Sequence, residues 1–306
     1  VAEPPRLDLV HFHRGEPLRE VDHEPPVPTL DQEDLLAQGI DTSALISGAQ
    51  KVDALGSCTA NATTVSLAER WKAVLGKLPV GITGDAVNDE EFAIRFYHAC
   101  TDQTGDPAQE WPPTDCGSTG LYCCTELQKQ GLVTSYKTAS GAQDIVSLLQ
   151  AGTVIQGTPF FNAWMEPDAN AFVDGDGSMA ALEDAIMSGV AGGHETCITA
   201  VEKLTLSATG QVDPQNTVVR VRNSWSSSFG DHGSFRLHLS TLAMLGNAAD
   251  FKQFAITPVN GAPVPSPSAA PHAGLLHELA SLIRDVEESA EQEYGKLLQF
   301  LATHGL

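Results

Sequence analysis

A chain of 306 residues with 42% apolar side chains, 27 Gly and 18 Pro has the size and composition of a loop-rich globular protein, one main domain with appendages. Its 17 Lys and Arg stand against 39 Asp and Glu, a formal net charge of −22, which excludes binding to nucleic acid or to an anionic membrane by bulk electrostatics. No apolar run reaches the ~18–20 residues of a membrane span, and the first residues lack the charged start and apolar core of a leader, so neither is expected.

Residues 1–45 are Pro-rich and acidic with short apolar runs, and they read as an extended arm laid over the main domain, residues 46–257. His11 and His13 alternate in this arm, but without a third ligand they make no metal site. From Cys58 to Lys77, Ala62, Val65, Leu67, Ala68, Trp71, Val74 and Leu75 recur at helical spacing, with Gly76 as the stop signal. Further helices are predicted from Asp89 to Cys100, from Gly120 to Gln130 with a stop at Gly131, and from Asp144 to Gln150. After Gly152 the pattern turns to strands: Thr153 to Gly157, Thr196 to Val201, Thr217 to Arg222 and Phe235 to Leu239. Helices early and strands late predict an α+β fold, with a cleft between the two halves.

Residues 258–274 form a Pro/Ala/Ser linker, and beyond it Leu276, Leu279, Ile283, Val286, Ala290, Tyr294, Leu297 and Leu301 line one stripe. That stripe predicts an amphipathic helix over residues 275–303, which either folds back on its own domain or serves self-association or docking to a larger assembly. The six cysteines (Cys58, Cys100, Cys116, Cys123, Cys124 and Cys197) contain no Cys-x-x-Cys pair, so no zinc site is expected. Their spacing leaves open one local disulfide among Cys100, Cys116, Cys123 and Cys124, or a set of reduced buried thiols.

The residues that carry chemistry begin at Gly56-Ser57-Cys58. This turn delivers a cysteine to the start of a helix, where unpartnered N–H groups and the helix dipole favour a thiolate; an inert buried cysteine is the alternative. A nucleophilic cysteine needs a base and a group to orient that base. Gly192-Gly193-His194 opens a strand, with two glycines leaving room for a substrate backbone. Asn223 follows another strand and precedes Ser224-Trp225; its amide would accept the second N–H of His194, and Trp225 would shield that bond from water.

In order and spacing, Gly56-Ser57-Cys58, Gly192-Gly193-His194 and Arg222-Asn223-Ser224-Trp225, with Gly230 and Gly233 after them, resemble the papain-like cysteine peptidases over residues 45–245. Segments 111–115, 117–121 and 165–168 are similar to those of a branch found in actinobacteria and their phages. The resemblance implies a helical half carrying the nucleophile Cys58 and a β-rich half carrying the base His194 and its orienter Asn223. It further implies a peptide or protein substrate and no metal or organic cofactor; with no leader or span in this sequence, a cytoplasmic or virion-associated setting is expected, and secretion stays open. It also implies an oxyanion-stabilising glutamine six residues before the nucleophile, where this chain has Val52; Gln50, two residues earlier, is the candidate donor. The Val52 departure supports a second reading, a weakly active or inactive domain retained as a binding module of an assembly such as a phage particle. Asn223 argues against a transglutaminase-like enzyme, in which an aspartate would orient the histidine.

Overall fold

The computed structural model describes residues 17–101, 108–139, 141–249 and 253–258. The predicted linker from residue 259 onward, the helix over 275–303, and His11 and His13 lie outside the described residues. In chain order the elements are β1 (Val21–Asp22), α1 (Thr42–Leu45), α2 (Cys58–Leu75), α3 (Ala86–Thr101), α4 (Gly120–Lys129), β2 (Val133–Ala139) and α5 (Ala142–Leu149). There follow β3 (Val154–Phe161), α6 (Met179–Met187), β4 (Val190–Lys203), β5 (Val218–Arg222), β6 (Ser234–His238), α7 (Leu239–Ala249) and β7 (Gln253–Pro258). The fold is α+β.

One antiparallel sheet organises the molecule, in the order β2-β7-β3-β4-β5-β6, with β1 added to the far end of β4. Because successive strand residues point to opposite faces, each central strand feeds two cores. Ile155 and Cys197 face a core built from α2, α3, α4 and residues 27–46. Val154 and Ile198, their chain neighbours, face a second core with α5, α6 and α7. Burying both faces in this way explains the near-continuous burial of β3, its Gln156 and Thr158 included.

The helix opened by Cys58 runs to Leu75 and closes at Gly76, whose φ of 70° is the left-handed conformation of a helix cap. Its predicted apolar stripe understates its burial, since every residue from Thr59 to Glu69 is buried. Small polar side chains make this tolerable: the Thr63 and Thr64 hydroxyls donate back to the carbonyls of Thr59 and Ala60, at 2.7 and 2.8 Å. Asn61 is wholly buried and gives its amide hydrogens to Glu90 at 2.7 and 2.8 Å.

The division into helices first and strands later is only partial. Strand β2 follows α4 directly and pairs with β7, whereas α6 and α7 lie within the strand-rich half. The N-terminal segment is also more than a surface arm: Val27, Leu30, Leu35, Ile40 and Ile46 are all buried in the first core. No helix among the described residues is long and apolar enough to cross a membrane.

Candidate active site

Cys58 is the first residue of α2, preceded by Ser57, whose side chain makes no capping bond. The turn is held by backbone groups. Leu55 N–H donates to Gln32 O at 3.0 Å, Ser57 N–H to Leu55 O at 2.8 Å, and Ala60 and Asn61 N–H to Ser57 O at 2.9 and 3.0 Å. The N–H of Glu195, the residue after His194, lies near enough to the Cys58 sulfur to favour its anion, so α2 and β4 bring nucleophile and base to one place.

Burial of the sulfur opposes the thiolate that the helix start favours. Desolvation pushes the Cys58 thiol up to about 12, against the pull of the Glu195 and Thr59 N–H groups, and the nearby Glu195 carboxyl and Cys123 add to the rise. Helix dipoles stabilise an exposed anion by ~0.3–1 kcal/mol, too little to offset burial of a sulfur anion.

His194 is buried on β4 opposite Thr158 of β3. Its Nε2 lies 2.6 Å from Asn223 Oδ1, and that oxygen also accepts the Ser224 N–H at 2.8 Å. Because Oδ1 takes the backbone N–H, it is the amide's acceptor atom, and Nε2 of the histidine must carry the hydrogen. Nδ1 is then left with its lone pair for a proton. Trp225 stacks on the imidazole at 4.5 Å between centroids and 19° between planes, and Phe160 meets it edge-on at 5.2 Å. This aromatic box desolvates the ring and lowers His194 to about 4, with the Asn223 bond pulling it back up. Burial thus favours the uncharged form of each partner.

Gly192 and Gly193 lie on the exposed start of β4, and nothing stands within 4 Å of where a Cβ would project from either. They pair with Phe160 and Pro159 of β3, while β5 pairs with β4 only from Cys197 onward. Among the described residues, no strand pairs with the other edge of β4 at Gly192 and Gly193, the kind of edge to which an extended chain can add.

Among the described residues, Gln50 takes no part in the hydrogen bonds that hold the nucleophile turn. It is exposed, its carbonyl accepts the Thr42 hydroxyl at 2.6 Å, and its side chain makes no hydrogen bond among the described residues. Val52, half-buried, packs against the first core. All six cysteines are thiols rather than disulfides, and no group of three His, Cys, Asp or Glu among the described residues could hold a metal.

Two residues that sequence reasoning passed over shape the site. Gln32, buried, donates from Nε2 to Leu55 O at 3.1 Å, accepts the Ser224 hydroxyl on Oε1 at 2.7 Å, and gives its N–H to Ser224 O at 3.0 Å. It ties the nucleophile turn to the turn that holds Asn223. Glu195 faces α4, with its carboxyl in the space left by Gly120, where a Cβ would stand 2.2 Å from Oε1. Oε1 is buried without a hydrogen-bond partner. Burial pushes this carboxyl up to about 8, with the Gly120 N–H opposing. A charged residue directly before the run Thr196 to Val201 was the signal available in the sequence.

No family model and no curated protein matches the chain. Among solved structures, a procathepsin B from Trypanosoma congolense aligns with a TM-score of 0.48 and 13% identity, over 82% of this chain and 82% of that one. A digestive procathepsin L from the larval midgut of Tenebrio molitor gives 0.46 and 13%, over 80% and 71%. Xylellain, a cysteine protease from Xylella fastidiosa, gives 0.40 and 17%, over 79% and 86%.

Proposed function

We propose that this chain is a papain-like cysteine endopeptidase in which Cys58 is the nucleophile, His194 the base and then the acid, and Asn223 the residue that orients it. The observation that carries this reading is the 2.6 Å bond from His194 to Asn223, under the Trp225 ring, beside the strand residue whose N–H lies near the Cys58 sulfur. A peptide laid along the open edge at Gly192 and Gly193 presents its carbonyl carbon to the sulfur. His194 Nδ1 takes the thiol proton as the carbon–sulfur bond forms, and the tetrahedral oxyanion faces the Cys58 N–H. His194 returns the proton to the departing amine as the carbon–nitrogen bond breaks, leaving an acyl-enzyme. Water then attacks that acyl group with His194 as base, which releases the acid and restores the thiol.

A second reading, a binding module of low activity, is favoured by one observation: Gln50 is exposed and contributes nothing to the nucleophile turn. Iodoacetamide labelling separates the two. A catalytic site alkylates Cys58 ahead of the other five cysteines, and His194→Ala removes the preference. Labelling of Cys58 no faster than of exposed Cys116 overturns the enzymatic reading.

A further inference from the structure

Asp115 lies in the segment that leads into α4. The two oxygens of this carboxylate hold different parts of the molecule. Oδ2 accepts the N–H of Gly56 at 2.7 Å, and Oδ1 accepts the hydroxyl of Tyr97, on α3, also at 2.7 Å. The Tyr97 oxygen in turn accepts the N–H of Gly117 at 2.9 Å. Both bonds to the carboxylate have the short length of charge-assisted hydrogen bonds. Tyr97 is a fixed post, wholly buried and packed at 5.6 Å from Trp111. Burial and the neighbouring Asp115 raise its hydroxyl pKa, so it stays a donor.

The fit is reciprocal. A Cβ on Gly56 would stand 2.7 Å from Asp115 Oδ1, so the glycine two residues before Cys58 is required by the closeness of the carboxylate, not by its backbone angles. The clamp also completes the partners of the turn. Leu55 N–H goes to Gln32, Gly56 N–H to Asp115 and Ser57 N–H to Leu55. The next amide, that of Cys58, meets no acceptor among the described residues.

We propose that Asp115, braced by Tyr97, is a positioning residue for acyl transfer. It fixes the Gly56 peptide so that the Cys58 N–H is the amide left aimed at the cleft as an oxyanion donor. Through Gly117, the same relay holds the loop that enters α4 against the nucleophile turn. This rests on the reading of Cys58 as the nucleophile.

The test compares two probes on the full chain. Iodoacetamide alkylates a sulfur at a saturated carbon and forms no oxyanion, whereas p-nitrophenyl acetate acylates it through a tetrahedral oxyanion; the rate left in Cys58→Ala is subtracted as background. For Asp115→Ala, acylation falls by about 10–10²-fold while alkylation stays within about twofold, since misaligning one oxyanion donor costs at most the loss of that donor. Tyr97→Phe keeps the buried ring and loses the brace, and acylation falls by a smaller factor, about threefold to tenfold. Asp115→Asn, which retains an acceptor for Gly56, lies between wild type and Asp115→Ala. Unchanged acylation in both Asp115→Ala and Tyr97→Phe overturns the inference, as does an equal fall of both probes, which marks general disruption of the site. A wild-type chain silent to both probes instead overturns the proposed function, and the inference with it. That outcome is distinct, because it is read before any variant is made.

Discussion

The two halves of the candidate site are held in opposite ways. His194 is over-determined by its own neighbourhood: a strand register, an amide bond, a stacked indole and an edge-on phenyl ring all fix one imidazole. Cys58 has no comparable set of side chains. Its position follows from backbone amides whose partners are supplied from far away in sequence, by Gln32 and by Asp115. The base is thus specified locally, and the nucleophile by the way three distant segments converge. The base half should therefore lose chemistry when it is altered, and the nucleophile half should lose alignment and stability.

The largest effect is expected where the chemistry sits. His194→Ala should lower acylation of Cys58 by about 10³-fold, roughly 4 kcal/mol, with little change in melting temperature, because a general base contributes 10²–10⁴. A large drop in melting temperature would instead make His194 a structural residue. Next comes Gln32→Ala, which leaves the Leu55 carbonyl and the Ser224 hydroxyl without side-chain partners in a buried place and should cost about 2–3 kcal/mol in chemical denaturation. A cost below about 0.5 kcal/mol would show that the cross-tie is dispensable.

Glu195→Gln should have an effect whose size depends on pH. The folded carboxyl is raised to about 8 from its ordinary 4.5, so between these values the folded chain holds a proton that the unfolded chain has released. Stability from this group is fully present below about pH 4.5 and is lost as pH rises through about 8. Gln cannot ionise, so the variant should gain progressively on wild type as pH rises from about 4.5 to about 8 and gain nothing at pH 4. A difference in melting temperature that stays constant across that range would refute the assignment. The smallest change is expected for Trp225→Phe, which keeps an aromatic face on the imidazole and should cost about 1 kcal/mol with acylation within a few-fold of wild type. A loss as large as that of His194→Ala would mean that the indole takes part in the chemistry itself.

What could be read in advance follows the same division. The start of α2 at Cys58, its stop at Gly76 and the strand before Asn223 were legible because caps, periodicity and short-range order are written in neighbouring residues. Gln32 and Asp115 were not, since their partners lie 192 residues away at Ser224 and 59 residues away at Gly56, and nothing local marks such a pairing. Strands β2 and β7 escaped for a related reason. β2 exposes most of its residues, Thr134, Ser135, Lys137 and Thr138 among them, and has a buried residue only at each end, so its strand character comes from β7, more than a hundred residues later. The helix start that favours a thiolate is visible in the sequence, and the burial of the sulfur that opposes it is not.

The unpaired edge at Gly192 and Gly193 carries a liability of its own. A row of free backbone donors and acceptors is a template for any strand, including one from another copy of the same chain. Two glycines blunt this by the entropy lost when they are ordered, and a net charge of −22 keeps copies apart. That electrostatic guard has a range of only ~10 Å at 0.1 M salt and ~3 Å at 1 M. Concentrated salt therefore removes one of the two protections, and strand-to-strand association should appear there first, starting beside His194.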